Sequence, residues 1–123
     1  MLNVAAYQGR LTDTPQLKVT QSGVSVCSFT IACERNYAKP GEERQADFID
    51  CVAYRTKAEF ICKWFTKGTM ILINGSTQTR NYLDSNNAKR KVTECVVENA
   101  TFCGKPEHKT EDVNQVEEED LPF

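Results

Sequence analysis

A chain of 123 residues, 40% hydrophobic and 26% charged, has room for one compact domain with an appendage and is too short for two. Its formal charge of −2 conceals a division after Gly104: residues 1–104 hold 13 Lys and Arg against 10 Asp and Glu, and residues 105–123 hold 2 against 7. The opening MLNVAAYQGRLTDTP lacks the basic start and apolar run of a secretory leader, and nothing approaches the roughly 20 apolar residues of a bilayer span, so a cytoplasmic protein without membrane contact is expected.

The first predicted strand runs from Leu2 to Leu11 and is closed by Thr12-Asp13-Thr14-Pro15. A short extended piece, Leu17 to Thr20, leads into the turn Gln21-Ser22-Gly23. From Val24 to Asn36 the apolar positions Cys27, Phe29, Ile31 and Cys33 alternate with Ser28 and Thr30, the pattern of a half-buried strand. Residues 38–46, AKPGEERQA, read as an exposed loop. Alternation resumes over Asp47–Tyr54, where Ile49, Cys51 and Ala53 share one face and Phe48, Asp50, Val52 and Tyr54 the other. Thr56 with Glu59 three residues on predicts a capped helix whose stripe is Ala58, Ile61, Cys62 and Phe65, stopping at Lys67-Gly68. A long strand bent at Gly75, a turn at residues 84–88 and a last strand from Lys91 to Phe102 complete the body.

The order strand, strand, strand, helix, strand, strand predicts an all-β OB-fold: a five-stranded barrel with one helix between strands 3 and 4. Residues 1–104 form that domain. Residues 105–123 form a disordered acidic C-terminal tail, because they hold too little apolar surface to fold alone. The six cysteines contain no metal spacing, and the single histidine, His108, lies in the tail. Buried, reduced thiols are therefore expected, with no metal and no cofactor. With no histidine and only scattered carboxylates in the body, no catalytic residues and no enzyme are expected.

Single-stranded nucleic acid presents flat bases and a charged backbone, so its binders interleave aromatic faces with Lys and Arg. This chain offers Arg35 with Tyr37, Phe48 with Tyr54 and Arg55, Arg80 with Tyr82, and the run Lys89-Arg90-Lys91. The core needs of the Asp47–Tyr54 strand are met by Ile49, Cys51 and Ala53, which leaves Phe48 and Tyr54 free for stacking. Asp47 and Asp50 temper the positive charge. Trp64 falls on the helix and is assigned to helix packing or a subunit contact, outside the site. Stacking does not distinguish DNA from RNA, and a barrel acting purely as an adaptor remains an alternative. At the far end, Glu117–Asp120 precedes Leu121-Pro122-Phe123, which joins two hydrophobic side chains to the terminal carboxylate and suits a partner pocket with a basic rim.

The segments NVAAYQGRLTDTPQLK, FIDCVAYRTKAEFICKWFTKGT and STQTRNY, with the tip EEEDLPF, resemble the bacterial and phage single-stranded DNA-binding protein family over essentially the whole chain. The resemblance implies a homotetramer, cytoplasmic and nucleoid-associated, that coats single-stranded DNA without sequence preference during replication, recombination and repair. It implies stacking by Tyr37, Phe48, Tyr54 and Tyr82, and backbone contacts by Arg35, Arg55, Lys57, Arg80, Lys89, Arg90 and Lys91. It also implies that Asp120, Leu121, Pro122 and Phe123 recruit replication and repair proteins. Tyr or Phe at stacking positions often filled by tryptophan, Asp50 on the DNA-side face and a short linker depart from the family pattern.

Overall fold

Two-residue periodicity is the main organising signal in this chain, and the computed structural model, which describes residues 1–103, turns it into strands. In chain order the elements are β1 (Ala5–Leu11), β2 (Gln16–Val19), β3 (Ser25–Glu34), β4 (Ala46–Tyr54), α1 (Thr56–Trp64), β5 (Met70–Leu83) and β6 (Lys89–Phe102). They form one six-stranded sheet in the order β1-β5-β6-β4-β3-β2, and a further antiparallel pairing, Arg10 with Ala32 and Leu11 with Ile31, links β1 to β3. Every pairing is antiparallel except β4 with β6, where Cys51 lies beside Cys95 and Val52 beside Val96.

The expected five-stranded barrel with a helix between strands 3 and 4 is overturned: the sheet has six strands, and the helix lies between β4 and β5. The additional strand is the piece around Leu17. The Thr20 Oγ1 accepts from Val24 N at 3.1 Å, Gly23 takes a φ of 88°, and the turn brings Gln16–Val19 into register with Ser25–Ser28. Backbone pairing therefore makes a strand of a segment whose four side chains are all exposed, so hydrophobic alternation did not reveal it.

The core lies on the face that holds Cys27, Phe29 and Ile31 of β3 and Cys51 and Ala53 of β4, together with Ile71, Ile73, Cys95 and Val97. The helix closes it with Ala58 and Ile61, followed by Phe65 just past its end. Phe65 stacks on Phe102 at 4.8 Å between ring centroids, and Phe60 and Trp64 meet Phe102 edge-on at 6.0 and 6.1 Å. Trp64 is thus a packing residue, as its place on the helix implies. All six thiols are free. Burial, then the hydrogen bond with Cys62, pushes the Cys27 thiol up to about 12, and burial likewise raises those of Cys51 and Cys95. Protonated at neutral pH, these three act as small core side chains.

Two local expectations are corrected. Thr56 is the first helical residue and not the cap; that position is held by Arg55, at φ 59° and ψ −129°, without a side-chain cap bond. Arg55 is held there by its own N–H donating to Ser25 O at 2.7 Å, while its carbonyl accepts from Glu59 N at 3.1 Å. The helix ends at Trp64, upstream of Lys67-Gly68, and Gly68 instead donates to Leu11 O at 2.8 Å. The bend at Gly75 is present as a register shift: Asn74 pairs with Asn99 but Gly75 with Val97. A Cβ at Gly75 would lie 1.9 Å from Val96 O, so the close approach of the two backbones requires glycine.

Candidate nucleic-acid interface

One side of β4 carries Phe48, Asp50, Val52 and Tyr54, of which Phe48, Asp50 and Tyr54 are exposed while Val52 between them is buried. Phe48 is 67% exposed and Tyr54 41%, large aromatic rings facing water on a strand flanked by β6 and β3. Six residues of strand separate them by about 20 Å, enough for several nucleotides. Around them the register builds rows across the sheet: Lys18 beside Val26 beside Tyr54, Thr30 beside Asp50, and Ala32 beside Phe48. On the β6 side Phe48 and Asp50 line a shallow cleft with Thr93 and Glu94, and the β6 residue next to Thr93, Val92, pairs with Arg80.

Past that row β5 and β6 continue as a two-stranded ribbon to Leu83 and Lys89. Tyr82, 46% exposed, pairs with Arg90, and the Arg80 guanidinium sits 6.0 Å from the Tyr82 ring centroid, in cation–π range. The ribbon's tip is fixed by one carboxylate. Asp84 accepts from the backbone of Asn86 and Ala88 at 2.9 Å each and from Arg90 Nε at 3.0 Å, and these bonds hold its carboxyl below the usual aspartate range.

The cations divide into two groups. Arg35 grips Asp47 with two nitrogens at 2.9 and 3.1 Å, Arg80 grips Glu94 at 3.0 Å, and Arg90 grips Asp84. The Arg35–Asp47 bonds raise the guanidinium's pKa and lower that of the carboxyl. Arg55, Lys57, Lys89 and Lys91 are exposed and carry no ion pair among the described residues. Arg90 shares Tyr82's side of the ribbon, whereas Lys89 and Lys91 project from the opposite side.

Not every expected residue joins one surface. Tyr37, 75% exposed, lies in the loop between β3 and β4, whose ends are tied by Arg35 N donating to Gln45 O at 2.8 Å. Lys57 lines a separate groove with Phe60, Asn99 and Thr101 on the helix side of β6. Lys18 was missed by sequence reasoning. It enters the Tyr54 row only through the β2–β3 hairpin register, and the turn at Gln21-Ser22-Gly23 was the signal that could have placed it. Asp120, Leu121, Pro122 and Phe123 lie outside the described residues. Among the described residues no group of three or more His, Cys, Asp and Glu could hold a metal, and no helix is long and apolar enough to cross a membrane.

A sheet with its core on one face and exposed aromatics edged by cations on the other offers flat rings for stacking and positive charge for an anionic strand, the surface of a binding module on an all-β scaffold. The family model described as the single-strand binding protein family matches residues 2–103, and the chain belongs to that family. It is 42% identical over 102 residues to single-stranded DNA-binding protein 2 of Listeria monocytogenes, covering 83% of this chain and 64% of that protein. Single-stranded DNA-binding protein 1 of Staphylococcus aureus is 41% identical over 115 residues, 94% of this chain and 72% of its own length. The single-stranded DNA-binding protein of Lactiplantibacillus plantarum is 43% identical over 99 residues, 80% of this chain and 50% of its own length. The chain thus spans less than two thirds of the Listeria and Lactiplantibacillus proteins.

Proposed function

We propose that this chain is a single-stranded DNA-binding protein that coats and protects the strand, without sequence preference, during replication, recombination and repair. The observation that carries the reading is the exposure of Phe48 and Tyr54 on a strand whose other face already supplies core residues, and of Tyr82 on the part of β5 that runs beyond the core. Bases stack on these rings, with Tyr37 added from its loop, while Arg55 and Lys18 neutralise phosphates beside Tyr54, and Lys57, Lys89 and Lys91 do so where the strand passes from this face to the helix side and round the ribbon. Arg35, Arg80 and Arg90 contribute from within their ion pairs. Residues 1–104 are the binding domain. Residues 105–123 are an acidic tail whose tip, Asp120 to Phe123, recruits replication and repair proteins. The assembly is a homotetramer acting in the cytoplasm at the nucleoid.

Replacement of Tyr54 and Tyr82 by alanine tests the reading. Each stacked base is worth about 1–3 kcal/mol, so affinity for an oligo-dT should fall roughly fivefold or more per ring. The thermal midpoint should stay unchanged, because neither ring is buried. Unchanged affinity in the double variant would leave the adaptor reading in its place.

A further inference from the structure

Asp50 is an acid at the centre of a surface that otherwise suits an anionic strand. It lies two residues from Phe48 on the same face of β4, about 7 Å along the strand. Thr30 Oγ1 donates to its Oδ1 at 2.9 Å from the neighbouring strand, which fixes the carboxylate's orientation. Its second oxygen, Oδ2, accepts from no described residue. Glu94, near it on β6, is different: its side chain is 11% exposed and already engaged by Arg80. One oriented, water-accessible acceptor therefore stands beside an exposed ring.

A base stacked on Phe48 turns its edge toward neighbours at that distance. A carboxylate only accepts hydrogen bonds. Cytosine and adenine present an exocyclic amine to such a group, and guanine an amine with a ring N–H. Thymine offers two carbonyl oxygens, which the carboxylate repels, and a single ring N–H. Resting on the reading of this face as the single-strand surface, we infer that Asp50 reads the base stacked on Phe48 and favours amine-bearing bases over thymine. The result is a compositional bias laid over sequence-tolerant binding.

The test is the ratio of affinities for oligo-dC and oligo-dT, measured by anisotropy at pH 8 with the full chain and with Asp50→Asn and Thr30→Val. The ratio between variants cancels the intrinsic stacking and flexibility of each oligonucleotide. Asparagine keeps the size and the Thr30 hydrogen bond but also donates, so Asp50→Asn should lower the dC-to-dT ratio by about threefold or more. Thr30→Val, which only frees the carboxylate to rotate, should lower it less. If both affinities rise equally in Asp50→Asn, Asp50 acts only as a negative charge and the inference is overturned while the binding function stands. Failure of the unaltered chain to bind either oligonucleotide would instead overturn the proposed function.

Discussion

Arg55 occupies a backbone region that glycine enters freely and other residues enter at a cost of about 1–3 kcal/mol. It stands at the sharp passage from β4 to α1, one residue after Tyr54, and its guanidinium is exposed. Strain kept at this junction makes sense if the cation is used there. Arg55→Gly should therefore raise folding stability by about 1 kcal/mol in urea titrations while weakening single-strand binding and reducing its salt slope by about 0.7. Arg35 and Asp47 make a second residue-scale case. The folded Asp47 carboxyl titrates below its unfolded value, so its contribution to stability is complete above the ordinary aspartate range and is lost as pH falls through the lowered folded value. The stability difference between the unaltered chain and Asp47→Asn should accordingly be constant above about pH 5 and shrink below about pH 4. A difference that grows toward acid would contradict the pairing.

At the scale of elements, β5 and β6 show how one residue shapes the interface. The register shift at Gly75 separates the part of the ribbon that covers the core from the part that carries Arg80 and Tyr82 into solvent. Gly75→Val drives a side chain into the Val96 carbonyl; it should cost about 2 kcal/mol or more in thermal or urea unfolding. The bend was legible because glycine inside an otherwise apolar-patterned strand has few other uses. β3, β4 and the helix were legible for a similar reason: their buried faces impose a period on the sequence. The strand β2 was not, since exposed side chains leave no period and only the β3 backbone defines it. The helix start was misplaced because Thr56-Lys57-Ala58-Glu59 has the residues of a capping box, whereas the chain enters the helix through a backbone bond to Ser25. The same limit applied to the interface. Same-face aromatics follow from strand period, but the capture of Arg35 and Arg80 by acids on neighbouring strands, and of Arg90 by Asp84 across the hairpin tip, depends on turns and register.

For the molecule as a whole, the balance of free and engaged cations governs how strongly binding responds to salt. Arg55, Lys57, Lys89, Lys91 and Lys18 have no ion pair among the described residues, so each would displace a counterion from a phosphate it met, while an arginine already holding a carboxylate would displace less. With about 0.7 of slope per neutralised phosphate on a single strand, replacing Lys89 and Lys91 by alanine should flatten the log–log salt dependence by about 1.4. The most direct measurement of the central claim is anisotropy of a labelled oligo-dT and of the matching duplex, each titrated with the full chain at several salt concentrations. Tight binding to the single strand that weakens steeply with salt, alongside weak binding to the duplex, is the result expected. Equal affinity for the two would contradict a surface that works by stacking unpaired bases.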